Sequence, residues 1–233
     1  MKKTLSYPEA IALAQCEEME KDPNVFVFGL DVADHKEIFG TVEGLLKKFG
    51  PKRVFSTPLS EDAMTGVAIG AAISGLRPIH IHIRADFLLL AMNQLGNMAG
   101  NIRYLSGGKL QCPLFVRAVI GHGWGQGAQH SKEIYPLFKH LPGIKVIVPS
   151  TPQEAYSLTR AAIRANDPVI SFEPRWLFSK VGEVDTEKEL PLSLYEHLWC
   201  DFPPVPTTRP LENLYYEKKY GTNLRDSEFK GPF

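Results

Sequence analysis

Two periodicities alternate along the chain. Runs of β-branched and aromatic residues at NVFVFGLDV (24–32), RVFSTPL (53–59), IHIHIR (79–84), PLFVRAVI (113–120), IKVIVPS (144–150) and PVISFEP (168–174) predict strands. Between them, apolar residues return at helical spacing over 6–21, 42–49, 61–75, 86–105, 130–140 and 152–166. Strands bought into register by helices in this alternation predict an α/β fold in three layers, a mostly parallel sheet with helices on both faces. Punctuation agrees: Thr151-Pro152 opens one helix and Asn166-Asp167-Pro168 follows it. The pattern places the α/β domain at residues 1–178. From 179 to 233 it lapses into an irregular segment rich in proline and aromatics, among them Trp199, Phe202, Tyr215, Tyr216 and Tyr220. Disordered segments are poor in such rings, so this stretch is expected to be an extended arm laid across this subunit or a neighbour.

Bulk composition narrows the class. The 26 Lys and Arg equal the 26 Asp and Glu, which argues against a nucleic-acid or anionic-membrane partner. No apolar run is long enough to span a bilayer, and the start MKKTLSYPEAIALAQ lacks a signal-peptide core. Cys16, Cys112 and Cys200 are odd in number and widely spaced, as expected of reduced thiols in a cytoplasmic protein.

One helix stands out. TPLSEDAMTGVAIGAAISGLRP (57–78) begins with the acidic pair Glu61-Asp62 and continues through small residues. Carboxylates at a helix start are ordinary, because unpaired N–H groups and the macrodipole favour them. Gly66, Gly70 and Ser74 share one face, which permits close approach of another backbone. DFLLLAMNQLGNMAGNIRYLSGG repeats the device with Gly96 and Gly100. Either helix alone is most simply explained by packing onto its own sheet; the pair flanking one strand suggests a subunit interface.

The glycine-rich VIGHGWGQGAQHS formally matches GxGxxA through Gly123, Gly125 and Ala128. A dinucleotide site would need an acidic residue closing the next strand, and IKVIVPS ends in Pro149-Ser150, so that reading is rejected. His122 and His130 remain, the second at a loop-to-helix junction where it can exchange protons near neutral pH. Trp124 either narrows a pocket or lies on the surface. His80 and His82 share a strand face and are structural or cleft-lining, since no third metal ligand stands out.

In their order, DPNVFVFGLDVA, FGPKRVFSTPLSEDAMTGVAIGAAISGLRPI, DFLLLAMNQLGNMAGNIRYLSGG, GHGWGQGAQHS and LPGIKVIVPSTPQEAYSLTRAAIRANDPVISFEP resemble the β subunit of the thiamine-diphosphate-dependent 2-oxo-acid dehydrogenases. The resemblance covers residues 4–178 and implies the thiamine-diphosphate-binding fold. It implies catalytic roles for Glu61 and His130, cofactor contacts from Glu61, Phe87 and Ile83, and no metal ligand. Glu61, in TPLSE, would share a proton with a pyrimidine nitrogen of thiamine diphosphate. That requires a dry setting that raises its pKa against the helix dipole. Asp62 is then the better candidate for dipole compensation. Phe87 would pack on the pyrimidine ring. His130 would assist proton transfer or carboxylate binding around a 2-oxo acid. No GDG segment for the diphosphate and its Mg²⁺ occurs, and the residues after Val184 do not resemble the family's second domain. The expectation is therefore an enzyme subunit active only with an α-type partner carrying the diphosphate-binding domain, in an α2β2 heterotetramer. The alternatives are half of a split transketolase-like enzyme moving a two-carbon ketol unit, or a non-catalytic assembly subunit.

Overall fold

The computed structural model describes residues 2–121 and 126–194. Ser6 opens the first helix with a reciprocal cap: its hydroxyl accepts from the Glu9 N–H, and the Glu9 carboxylate accepts from the Ser6 N–H at 2.7 Å. The chain then runs β1 (Lys2–Ser6), α1 (Tyr7–Lys21), β2 (Val25–Gly29), α2 (Leu45–Phe49), β3 (Val54–Ser56), α3 (Glu61–Ile73) and β4 (Arg77–His82). It continues through α4 (Ile102–Leu105), β5 (Phe115–Ile120), α5 (Tyr135–Lys139), β6 (Lys145–Ile147), α6 (Pro152–Arg164), β7 (Val169–Pro174) and β8 (Val181–Asp185).

Six strands form one sheet in the order β3-β2-β4-β5-β7-β6, and every pairing is parallel. Buried on both faces, these strands read as apolar runs rather than alternations. On one face Ala68, Ile69 and Ala72 of α3, the 85–99 segment and Phe138 of α5 pack against Phe28, Val116 and Ile170. On the other, Met19 of α1, Leu45 of α2 and Leu158, Ala162 and Ile163 of α6 cover Val27, Ile79 and Val169. The three-layer α/β fold expected from the sequence is the fold observed. No helix among the described residues is long and apolar enough to cross a membrane.

Three local differences have physical causes. The helix expected over 86–105 is broken into a 3₁₀ stretch (Ala85–Ala91), a π-helical stretch (Asn93–Ala99) and α4. The wider winding is sealed by the Gly100 N–H donating five residues back to the Leu95 carbonyl. A Cβ on Gly100 would lie 2.6 Å from the Pro142 carbonyl oxygen and one on Gly96 would lie 3.2 Å from Leu141, so these glycines admit a segment of their own chain. The helix expected over 130–140 is confined to α5, because Pro136 is tolerated only in a first turn. The boundary expected at 178 is passed: β8 pairs antiparallel with β1, and Val184 is fully buried. A five-residue strand whose partner is the N-terminal strand, 175 positions away or more, carries no apolar run to mark it. Cys16 and Cys112 are free thiols, and burial pushes Cys112 up to about 12. Cys200 and the expected arm from 195 onward lie outside the described residues.

A fully buried ion pair ties the sheet to α1. Arg117 on β5 donates through Nε and Nη2 to both oxygens of Glu173 on β7, at 2.6 and 2.8 Å. Its Nη1 donates to the Gln15 side chain at 2.9 Å. Removing one member strands the other in a dry interior. Arg117→Met is expected to lower the unfolding free energy by about 3–5 kcal/mol. The double variant Arg117→Met/Glu173→Leu is expected to regain most of that loss, as read by urea denaturation.

Candidate functional site

Strand order reverses at β2. The chain steps from β2 outward to β3, then returns to lay β4 on the other side of β2. Connections leaving in opposite directions open a crevice at the carboxyl ends of these strands, the usual place for a ligand in an open α/β sheet. A cleft of about 470 Å³ lies there, walled by Leu30 after β2, Thr57–Glu61 after β3, and His80–Arg84 at the end of β4. Met64, Phe87, Leu90, Gln126 and His130 complete it.

Each candidate from the sequence has a definite place. Glu61 is the first residue of α3, half-buried, with its side chain on the cleft. Its neighbour Asp62 is exposed and turned to the helix start. There it accepts from the Ala63 N–H and from the Ser60 hydroxyl, which hold its carboxyl below the usual range. The two adjacent acids thus divide: one serves the helix terminus and the other faces the cleft. Ile83 follows directly on β4, and Phe87 sits in the 3₁₀ stretch beyond it. His130 closes a short 3₁₀ turn (Ala128–His130) and meets the Phe87 ring edge-on, centroids 5.2 Å apart at 77°. All four residues line the same cleft although 69 positions separate Glu61 from His130. His122 and Trp124 lie outside the described residues.

Other wall residues were not foreseen. Arg84, 8% exposed, donates through Nε and Nη2 to the Gln126 carboxamide oxygen at 2.9 and 2.7 Å, and through Nη1 to the Ile83 carbonyl. Burial, and then Arg175, lower its pKa. Its position, immediately after IHIHI, was a usable signal, because the first residues beyond a parallel strand point to the ligand end of a sheet. Behind it, Lys132 donates to Asp86 from both its backbone N–H and its ammonium, each at 3.3 Å, fixing the loop that carries His130. His80 and His82 are both buried in the cleft wall, which settles their placement in favour of cleft-lining.

The two small-residue helices behave differently. Gly96 and Gly100 are spent on internal packing, so they do not contribute an outer face. At Gly66 and Gly70 an added Cβ would meet nothing within 4 Å. That open side of α3 is accompanied by exposed Val67 and Ile73.

A family model described as the transketolase pyrimidine binding domain matches residues 3–180. The 2-oxoisovalerate dehydrogenase subunit beta of Bacillus subtilis (strain 168) is 44% identical over 184 residues, 78% of this chain and 56% of that protein. The pyruvate dehydrogenase E1 component subunit beta of Porphyra purpurea is 43% identical over 182 residues, 78% of this chain and 55% of that protein. The chain thus spans about half the length of these relatives. A solved split gene transketolase, described as an inactive beta4 tetramer, superposes with a TM-score of 0.64 at 22% identity, covering 80% of this chain and 55% of that one. At that identity the likeness is one of fold.

Both cleft histidines are held neutral. Burial lowers His80 from 6.5 to about 4, and burial with the neighbouring His80 puts His82 well below its ordinary value. In the unfolded chain each returns to about 6.5, so below that pH the unfolded state binds more protons and stability falls as pH falls. The expected slope between the unfolded and folded values is roughly 1 kcal/mol per pH unit for each histidine. Urea titrations across that interval should show the slope in the native sequence and its loss in His80→Phe/His82→Phe.

Proposed function

Because the chain belongs to the transketolase pyrimidine binding domain family, we propose that it is the β-like subunit of a thiamine-diphosphate-dependent enzyme that decarboxylates a 2-oxo acid. The observation that carries the reading is the convergence of Glu61, Ile83, Phe87 and His130 on one cleft at the strand-order reversal. The donor set suits an aminopyrimidine: a half-buried carboxyl, a flat aromatic face and aliphatic walls from Leu30, Ile83 and Leu90. When bound, thiamine diphosphate supplies an electron sink for breaking the bond between the carboxylate and the 2-oxo carbon.

This chain's residues supply the surroundings. Glu61 would hold and return a proton at a pyrimidine nitrogen of the bound cofactor, beside an aliphatic wall that would keep water away. Phe87 offers its ring for stacking, and its other edge holds the His130 imidazole in place. His130, half-buried at the mouth of the cleft, exchanges protons with the substrate or orients its carboxylate. Ile83 packs beside the ring and excludes solvent.

The second wall is assigned to a partner. We assign the diphosphate and its Mg²⁺ to an α-type subunit, two of each chain forming two shared sites in an α2β2 assembly. The open glycine side of α3 supports a partner contact, because bare helix backbone beside exposed Val67 and Ile73 is poorly suited to water. The domain itself, on this reading, is the pyrimidine-binding half.

Two experiments test the reading. Thiamine diphosphate with Mg²⁺, titrated into this chain mixed with its partner, should bind saturably only when both chains are present. Glu61→Gln should retain near-normal affinity while turnover falls by about 100-fold or more. Turnover unaffected by that change would remove Glu61 from its role. Separately, Gly70→Leu should leave the isolated chain folded and no less stable, because the added Cβ meets nothing within 4 Å and leucine favours a helix, yet weaken assembly in sedimentation velocity. Undiminished assembly would clear this face of partner contact.

A further inference from the structure

The stretch just past β4, Arg84 to Phe87, touches the loop that carries His130 at separate points along its length. Phe87 meets the His130 ring edge-on, and Asp86 accepts from both the backbone N–H and the ammonium of Lys132, each at 3.3 Å. Arg84 reaches the other end of the loop, where its Nε and Nη2 both donate to Gln126 at 2.9 and 2.7 Å. Asp86 thus ties the chain just after His130, and Arg84 ties it just before.

The Arg84 tie is built for rigidity. A guanidinium has only hydrogens to give, so the atom that takes both is the carboxamide oxygen of Gln126. A planar fork closing on one oxygen fixes direction as well as distance, and the positive charge strengthens both bonds. The remaining arm, Nη1 to the Ile83 carbonyl at 2.9 Å, seats the fork on the strand end itself. Arg84 is 8% exposed whereas Gln126 is exposed, so the anchor belongs to the wall and the loop is what it restrains. From Gln126 the restraint continues through the backbone. The carbonyl of Gly127 accepts from the His130 N–H at 3.3 Å and from the Ser131 hydroxyl at 2.7 Å. Gly127 adopts φ 72°, a conformation costly for other residues, which closes this turn tightly. Holding Gln126 therefore holds the turn from which the imidazole projects.

We propose that Arg84 is a positioning residue for His130, acting through Gln126 to fix the turn before any substrate arrives. This rests on the reading that His130 serves the proposed decarboxylation. With the Asp86 tie alone the turn is free to pivot about Lys132, and a reacting group misplaced by about 1 Å can lose about 100-fold in rate.

The test uses the complex of the full chain with its partner, thiamine diphosphate and Mg²⁺, and the fastest of pyruvate, 2-oxobutanoate and 2-oxoisovalerate. Arg84→Met and Gln126→Ala should each lower kcat by about tenfold or more, with KM and thiamine diphosphate affinity near native. The double variant should lose no more than the worse single one, because both changes cut the same tie. Gln126→Glu returns an acceptor to the fork and should lose less than Gln126→Ala. Additive losses, or a KM that rises while kcat holds, mean that Arg84 meets the substrate itself and overturn the proposal. An unchanged kcat in Gln126→Ala, a replacement of an exposed side chain that leaves Arg84 and the fold in place, overturns it as well. A second arm needs no turnover. In the full chain labelled with ¹⁵N-histidine, Gln126→Ala should shift or broaden the His130 imidazole resonances and leave those of His35 and His140 in place. His130 resonances that do not respond overturn the proposal. Should none of the three acids turn over, the decarboxylation reading falls, while the resonances still decide whether this tie holds His130.

Discussion

The junction of β2 with β4 ends in a contact that glycine alone permits. A Cβ on Gly29 would stand 2.3 Å from the Ile81 carbonyl oxygen, and Gly29 adopts φ 157°. Without that approach the two strands could not stay paired to their last residue, where Gly29 lies opposite Ile81. Everything in the cleft hangs from this seam. Leu30 leaves it on one side, His82 to Arg84 leave it on the other, and the Thr57 N–H donates to the Gly29 carbonyl at 3.0 Å. That last bond brings the loop before α3 over the seam and so sets where Glu61 begins its helix. A reversal of strand order makes a crevice possible; the glycine contact makes it narrow.

Much of this was readable from residue order, for identifiable reasons. Strands buried on both faces must be apolar throughout, so VFVFG, FVRAVI and VISFEP announce themselves as runs. The convergence of Glu61, Phe87 and His130 was approached through family resemblance, since no local spacing links residues on three separate elements. What escaped has a common character: it depends on contacts made at a distance. The pair of β1 with β8 joins opposite ends of the described domain, and neither KKTLS nor VGEVD alternates strongly enough to stand alone. The break in the 86–105 helix is imposed by residues 141–144, a segment forty positions away that no periodicity in the helix itself reveals. Gly66 with Gly70 and Gly96 with Gly100 carry one spacing and two fates, because spacing says a face is bare without saying what covers it.

The adjacent acids at the head of α3 illustrate how one helix start can hold two electrostatic environments. Asp62 lies outside, where backbone and hydroxyl donors stabilise its charge. Glu61 is turned one step around the helix into a wall of aliphatic and aromatic side chains. The macrodipole acts on both, but it falls off within the first turn and is weakened wherever N–H groups are already satisfied. Asp62, by taking the Ala63 N–H, satisfies one of the open donors at the helix start.

The histidines extend the same logic to the floor of the cleft. A neutral imidazole pair is stable there only because charging either ring would place an unsolvated cation between the sheet and α3. A lysine or arginine in either place would need an anion permanently beside it. Aliphatic residues would close the space without any polar preference. Two histidines on alternate positions of β4 therefore stand uncharged in a dry wall, their Nε2 atoms without a partner among the described residues. Arg84 beyond them, held to Gln126, keeps a positive charge at the strand's outer end.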